Sequence, residues 1–134
     1  ITAIYTVLAD GDDANDPVVD TARAILDGHI LLSRDQSQMG IYPAVDVPSS
    51  VSRVMTDIVG ADHQQASRKF RRLVSLYMEN RDLLMMGGYA PGQDAELDLA
   101  VSLWPALMNY IQQQENEKAD FDSSSKQLLK LMAS

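Results

Sequence analysis

The hydrophobic pattern of this chain changes character near Asp57. Before that point, apolar and β-branched residues come in short continuous runs, which are typical of strands buried on both faces of a parallel sheet. After it, apolar residues recur three and four positions apart, which is the spacing of amphipathic helices. The sequence therefore predicts an α/β part over residues 1–58, an all-α part over residues 59–134 and a chain that is mostly helical overall.

The α/β part begins with a continuously apolar run over residues 1–8, which predicts a buried strand. Because such a strand needs neighbours and Ile1 is not an initiator residue, we expect the earlier strands to belong to a longer parent protein. Asp16 directly precedes Pro17, and this pair predicts the start of a helix, since aspartate caps helix N-termini and proline fits the first turn. A short strand over residues 29–33 and an extended segment over residues 41–46 are predicted to follow.

Three helices are predicted in the all-α part, over residues 62–86, 94–113 and 123–132. The glycine-rich stretch 87–92 predicts an exposed turn between the first two. We expect Pro105 to kink or divide the second helix, because proline lacks the N–H group that a helix interior needs. The residues expected to face inward are Ala66, Phe70, Leu73, Val74, Tyr77, Leu84, Leu97, Ala100, Val101, Trp104, Met108, Ile111, Leu128, Leu129 and Met132.

Charge is distributed unevenly along the chain. The net charge is −8, and residues 1–62 hold ten acidic residues against Arg23, Arg34 and Arg53. This balance argues against nucleic acid as the main partner, since that affinity depends on Lys and Arg neutralising phosphates. The one basic run, residues 68–72, is either a solvated helix face or a patch for a polyanion or an anionic lipid surface.

The sequence contains no short motif of a complete catalytic or metal site. It has no phosphate-binding loop, dinucleotide fingerprint, zinc-protease or nucleophile-elbow motif and no cysteine, and His29 and His63 stand alone. Two residues are still of interest. Tyr42 precedes the rigid Pro43, a geometry that can present the ring for stacking on a base, and Arg53 follows eleven residues later. Spacing alone leaves open a packed aromatic and an ordinary salt-bridge arginine.

Several motifs occur together and in one order, which is far more specific than any one of them. The motifs are the run over residues 1–8, Gly11-Asp12-Asp13, Asp16-Pro17, Ile25-Leu26-Asp27-Gly28-His29-Ile30, Leu32-Ser33-Arg34, Tyr42-Pro43-Ala44-Val45-Asp46, Ser50-Val51-Ser52-Arg53, Gly88-Tyr89, Gly92, Asp94, Leu97-Asp98 and Ala119-Asp120-Phe121. On these motifs the chain resembles the flagellar and type III secretion export ATPases over nearly its whole length.

These ATPases are similar to the catalytic subunit of rotary ATP synthases, in which a RecA-like nucleotide-binding domain precedes a helical domain. The resemblance implies that residues 1–58 are the last strands of the nucleotide-binding domain. It implies that Tyr42 lies against the adenine in its own subunit and that Arg53 is an arginine finger reaching the γ-phosphate held by a neighbour. It also implies ATP and Mg²⁺ as cofactors of the full-length parent, with neither expected to bind tightly to this stretch, which should be inactive alone.

The resemblance further implies a homo-hexameric ring around a coiled-coil stalk, in the cytoplasm at the inner membrane, that energises flagellar protein export. Export chaperone–substrate complexes and the membrane export gate are the other expected partners. A different reading is a stand-alone helical interaction module that binds a chaperone or stalk protein without catalysis. The coding sequence upstream of Ile1 distinguishes this module from an ATPase, because a phosphate-binding loop in the same frame would support the ATPase and a start codon the module. The residues expected to face the stalk are Asp12, Asp13, Tyr89, Gln93 and Asp94.

Overall fold

A computed structural model describes residues 1–8 and 16–133 of the protein. More than half of the described residues are helical, and the helices concentrate in the second half of the chain. Within the described residues, the elements are α1 (Pro17–Ile25), β1 (Gly28–His29), α2 (Arg34–Gln38), β2 (Val51–Ser52), α3 (Met55–Ile58), α4 (Ala61–Glu79), α5 (Arg81–Met85), α6 (Ala95–Ile111) and α7 (Phe121–Met132).

The hydrophobic core lies between α4, α6 and α7, with α4 packed against both of the other helices. Aromatic pairs join α4 to α6: Tyr77 stacks on Trp104 with ring centroids 3.7 Å apart, and Phe70 meets Tyr110 edge-on at 5.4 Å. These helices present their apolar faces to one another and supply all the buried residues of the core, and Val47 of the preceding part packs against it. The buried residues of this core are Ala66, Phe70, Leu73, Val74, Leu76, Leu97, Ala100, Leu107, Leu128 and Met132.

Aspartate caps fix the starts of three of the helices. Asp16 accepts hydrogen bonds from the N–H groups of Val18 and Val19, which confirms the predicted start of α1. Asp94 and Asp120 accept main-chain N–H groups in the same way at the starts of α6 and α7. These side chains satisfy donors that the first helical turn leaves without partners.

The predictions for the helical part are confirmed in outline and wrong in two details. The first predicted helix divides at Asn80, whose side-chain amide donates to the carbonyl of Leu76 and so competes with the helical ladder. The second is continuous across the exposed Pro105, so it is not divided there, and a kink at Pro105 stays a prediction. Val101 is exposed rather than buried, whereas Leu107, which lies on a different face of α6, is fully buried.

The strands of the α/β part are shorter than predicted. β1 and β2 form an antiparallel pair in which Gly28 lies opposite Ser52, and an isolated bridge joins Leu32 to Val45. Of the strand predicted over residues 29–33, only His29 in β1 and the bridge residue Leu32 are paired. The strand predicted over residues 1–8 is absent: the segment is exposed, and no backbone hydrogen bond joins it to the rest of the described chain. A sheet strand needs a paired neighbour, and no described segment lies beside it in register.

The fold class is as predicted, with a small α/β part followed by packed helices. The domain boundary at residue 58 stays a prediction, and it falls at the end of the short helix α3. No helix in the described part of the chain is long and apolar enough to cross a bilayer.

Candidate functional site

Tyr42 lies in a bend between α2 and β2, so the extended conformation predicted over residues 41–46 is wrong at this point, and its peptide bond to Pro43 is cis. Hydrogen bonds hold both its side chain and its main chain. Its hydroxyl group shares a hydrogen bond of 3.0 Å with Ser37 Oγ, and its carbonyl oxygen accepts from the N–H of Gln113 at 2.9 Å. Ile41, directly before it, is buried and anchors the segment. Tyr42 as a whole is 56% exposed, so its side chain is accessible to a ligand.

The loop between α6 and α7 forms the other wall of a cleft beside Tyr42. This cleft has a volume of about 600 Å³, and the glutamines of residues 112–114 line it together with Gly40. Gln113 and Gln114 also bond to Glu117, which closes the loop into a compact turn. Sequence reasoning missed this loop, because a polar run after a helix carries no periodic signal and only the fold brings it to Tyr42.

Arg53 follows β2 directly and is fixed at its main chain and its side chain. Its N–H donates to the carbonyl of Asp27 at 2.8 Å. Its guanidinium donates to the carbonyl oxygens of Arg23 at 3.0 Å and of Ala24 at 2.9 Å, at the C-terminal end of α1. Such carbonyls lack helical partners and carry partial negative charge, which attracts a cation. Arg53 is nevertheless exposed.

Tyr42 and Arg53 do not share a contact. Among the described residues, the hydrogen bonds of Tyr42 reach α2 and the α6–α7 loop, whereas those of Arg53 reach α1 and Asp27. The cleft beside Tyr42 is not lined by Arg53. The two residues therefore present their side chains separately, and the structure does not combine them into one site within this chain.

The turn between α5 and α6 is organised around Tyr89. Its hydroxyl group donates to Asp98 Oδ1 at 2.8 Å and lies 3.0 Å from the carbonyl oxygen of Asp94. Burial against the core and the hydrogen bond to Asp98 raise the pKa of Tyr89 above its ordinary value. Asp98 Oδ2 also accepts from the N–H of Gly92, which adopts a left-handed conformation. Tyr89 and Asp94 thus hold the turn in shape.

The other residues expected to face a stalk are placed as follows. Gln93 is exposed at the tip of this turn. Met85 and Met86 lie exposed just before it, at 74% and 79%. Asp12 and Asp13 lie outside the described residues. The predicted exposure of the turn is confirmed except at Tyr89, which is half-buried.

The basic run over residues 68–72 is engaged within the protein. Lys69 Nζ donates to the carbonyl oxygen of Met132 at 2.7 Å, at the end of α7. Arg71 donates to the carbonyl oxygen of Ser50, and Arg72 forms a bidentate ion pair with Glu96 on α6. These contacts join α4 to three other parts of the chain, which favours a structural role over a patch for anions.

The two histidines also have partners in the fold. His29 Nε2 lies 3.1 Å from the carbonyl oxygen of Ser49. His63 Nδ1 lies 2.8 Å from Ser125 Oγ, and its ring stacks on Phe121. Both contacts join segments distant in sequence, α4 with α7 in the second case. Among the described residues, no group of His, Cys, Asp and Glu side chains is arranged to hold a metal ion.

Comparison with known families assigns the chain to a family. A family described as the T3SS EscN ATPase C-terminal domain matches residues 59–130, which is more than half of the chain. The chain belongs to the type III secretion ATPase family. The nucleotide-binding domain of the ATP synthase alpha/beta family matches residues 1–52. The resemblance to flagellar and type III secretion ATPases is therefore confirmed.

Curated relatives of this type III secretion ATPase chain are flagellar proteins. It is 50% identical over 124 residues to the flagellum-specific ATP synthase of Salmonella typhimurium strain LT2, covering 92% of this chain and 27% of that protein. It is 46% identical over 124 residues to the flagellum-specific ATP synthase of Bacillus subtilis strain 168, covering 92% and 28%. The chain thus spans between a quarter and a third of the length of these relatives.

Solved structures agree with the fold. The assembled ATPase EscN from the type III secretion system of enteropathogenic E. coli superposes with a TM-score of 0.93 at 37% identity, over 98% of this chain and 32% of that one. EscN in complex with its central stalk EscO gives a TM-score of 0.81 at 34% identity, over 87% and 29%.

Proposed function

We propose that this chain is the C-terminal part of a ring-forming ATPase that energises protein export by the flagellar type III apparatus. The observation that carries the proposal is the tandem match of a nucleotide-binding domain over residues 1–52 and a secretion ATPase C-terminal domain over residues 59–130. The flagellum-specific names of the relatives support the flagellar assignment. The whole protein then acts as a homo-hexamer in the cytoplasm at the inner membrane, and its other partners are chaperone–substrate complexes and the export gate.

In this proposal Arg53 is the arginine finger for the site of the neighbouring subunit. A guanidinium stabilises the negative charge that develops on the γ-phosphoryl group in the transition state. Two features support the role. Arg53 is exposed, and among the described residues the carbonyl oxygens of Arg23 and Ala24 accept from two of the five N–H donors of its guanidinium. We expect the other donors to meet phosphate oxygens across an interface.

Tyr42 is proposed to hold the adenine of ATP in the subunit's own site. The exposed ring beside a cleft of about 600 Å³ fits a purine base, since aromatic rings stack on every base. The glutamines of residues 112–114 offer amide groups at the edge of the same cleft. Bound Mg²⁺ supplies charge neutralisation at the phosphates, and its ligands belong to parts of the parent beyond this stretch, which carries no phosphate-binding loop.

The turn between α5 and α6 is proposed to contact a coiled-coil stalk. The exposed Gln93, Met85 and Met86 support this assignment, as does the EscN relative that was solved with a central stalk. Gln93→Ala and Tyr89→Phe should weaken stimulation of ATP hydrolysis by the stalk protein and leave basal hydrolysis nearly unchanged. Gln65→Ala, at an exposed site on α4, is the matched control. Unchanged stimulation in both turn variants would rule this contact out.

Substitution of Arg53 tests the central proposal. In the full-length protein, Arg53→Ala should lower turnover by roughly 10³-fold, the scale of arginine fingers, with little change in nucleotide affinity. Arg53→Lys should restore little activity, because a point charge cannot reproduce a planar fork. Steady-state hydrolysis and equilibrium nucleotide binding measure the two effects separately.

The control is Arg68→Ala, since Arg68 is exposed on α4 and makes only a long contact of 3.4 Å with its own helix. Rings that mix wild-type and Arg53→Ala subunits test the role across the interface, because each variant subunit should disable the site of its neighbour. If Arg53→Ala unfolds the protein, or changes turnover only a few-fold, Arg53 is a structural residue and the proposal is wrong.

A further inference from the structure

The segment before β1 and β1 itself hold Arg53 in place. Asp27 accepts the main-chain N–H of Arg53, and the last carbonyls of α1 accept its guanidinium. Between these contacts, Gly28 pairs with Ser52, the residue directly before Arg53. The position of Arg53 is therefore set by how closely β1 and β2 approach each other.

Gly28 allows this approach because it has no side chain. A Cβ atom added at Gly28 would lie 2.6 Å from the carbonyl oxygen of Val51 and 3.3 Å from the Cα atom of Ser52. Both neighbours are main-chain atoms, so no side chain can rotate to make room. Gly28 does not have a positive φ, so the requirement is for space and not for an unusual backbone conformation. Any other residue at this position forces β2 away from β1.

We propose that Gly28 is a positioning residue for Arg53, an inference that rests on the proposed role of Arg53 as the finger. A side chain at position 28 displaces Val51 and Ser52 and, with them, the start of Arg53. Catalysis across an interface depends on such displacements, since an error of about 1 Å in the position of a reacting group can cost roughly 10²-fold in rate.

His29, the second residue of β1, also holds β1 close to β2. Its main chain pairs with Val51, and its Nε2 atom lies 3.1 Å from the carbonyl oxygen of Ser49. This contact ties the loop before β2 to β1. His29 is therefore a second positioning residue, and its substitution by alanine removes a contact without adding an atom.

The strand pair lies apart from the hydrophobic core, whose buried residues all lie in α4, α6 and α7. Strain between β1 and β2 should therefore stay local and leave the helical part folded. This separation distinguishes a positioning role from a general role in stability. If Gly28 has a positioning role, its substitution should lower turnover while nucleotide affinity and the unfolding temperature change little.

A double-mutant cycle in the full-length ATPase tests the inference. Gly28→Ala should lower kcat by roughly 10- to 100-fold with KM changed less than about threefold. In the Arg53→Ala background, Gly28→Ala should not lower the single-turnover rate of hydrolysis further, because a misplaced finger and an absent finger are equivalent. Gly60→Ala is the matched control, since a Cβ atom there meets no atom within 4 Å and φ is −67°.

Each outcome decides the question. If Gly28→Ala leaves kcat unchanged, or if its loss multiplies that of Arg53→Ala, Gly28 does not act through Arg53 and the inference fails. Should Gly28→Ala prevent folding, His29→Ala in the same cycle replaces it, with an expected loss of a few-fold that vanishes in the Arg53→Ala background. If Arg53→Ala itself has no effect, the proposed role of Arg53 fails, and the positioning role of Gly28 fails with it because there is no finger to position.

Discussion

Tyr42 combines an exposed aromatic face with a rigid attachment. The hydrogen bonds of its hydroxyl group to Ser37 and of its carbonyl oxygen to Gln113 limit how far the ring can move. A preorganised ring stacks on a base at a smaller entropic cost than a mobile one. Tyr42→Phe, which keeps the ring and loses the bond to Ser37, should therefore weaken ATP binding by the full-length protein less than Tyr42→Ala.

The expected loss for Tyr42→Ala is about 1–3 kcal/mol of binding free energy, the range measured when a stacked aromatic is truncated. Titration with a fluorescent ATP analogue measures it. Ser37→Ala is the control, because it removes the same hydrogen bond as Tyr42→Phe and leaves the tyrosine in place. An unchanged affinity in Tyr42→Ala would show that the base binds elsewhere.

At the residue scale, ordered motifs single out Tyr42 and Arg53 in the sequence, and the roles of both residues stay predictions. The contacts of these residues could not be predicted in the same way. The acceptors of the Arg53 side chain are main-chain carbonyls of Arg23 and Ala24, and main-chain groups have no signature in a sequence. The same reason hid Gln113, whose N–H group contacts Tyr42 from 71 positions away along the chain.

At the scale of elements, the cap of α7 predicts a dependence of stability on pH. Asp120 accepts from the N–H of Ser123 at 2.8 Å and from its hydroxyl group at 2.7 Å, and these bonds lower the pKa of Asp120 below its ordinary value of 3.8. A lowered pKa means that the stabilisation is complete above the unfolded-state pKa. It is lost as the pH falls through the folded-state pKa.

Asp120→Asn should remove this dependence, because asparagine also caps helices but does not titrate. Between pH 5 and pH 2, urea midpoints of the variant should fall less steeply than those of the wild type. Asp122→Asn is the control, since Asp122 is exposed in the same first turn and no hydrogen bond to its carboxylate is found among the described residues. Equal slopes for Asp120→Asn and the wild type would contradict the prediction.

Helices with a strong apolar period were predictable, because α4, α6 and α7 bury the face that their spacing marks. Interruptions of the main-chain hydrogen bonds within a helix were harder to predict. The break at Asn80 coincides with a side-chain hydrogen bond to the carbonyl of Leu76, whereas α6 continues across Pro105, and neither outcome follows from the apolar spacing. Strand formation over residues 1–8 failed as a prediction because a strand is stabilised by neighbours and not by its own sequence.

At the scale of the whole molecule, burial is unequal between the two parts. The three most deeply buried large side chains, Leu73, Val74 and Leu107, all lie in the helical part. In the α/β part, Ile41 is the buried apolar residue among those described, and large apolar side chains such as Ile4 and Leu8 are more than 90% exposed. We propose that the rest of the parent ATPase covers this exposed surface.

This asymmetry predicts that the helical part is the more stable unit of the chain. Its contacts are made between helices that are near in sequence, and all the buried residues of its core lie in α4, α6 and α7. Hydrogen exchange should therefore protect the amides of Leu73, Val74 and Trp104 by at least about 10³-fold, the low end of folding equilibrium constants for small domains.

The amides of Val7 and Leu8 should exchange near the rate of an unfolded chain, because they have no acceptor among the described residues. The amide of Val101 should follow that of Trp104 despite its exposed side chain, since protection depends on the hydrogen bonds of α6 and on the opening of the whole helix. Exchange measured by mass spectrometry on this chain at neutral pH distinguishes the two parts. Stronger protection of Val7 and Leu8 than of Leu73 and Val74 would mean that the α/β part, not the helical core, stabilises the chain.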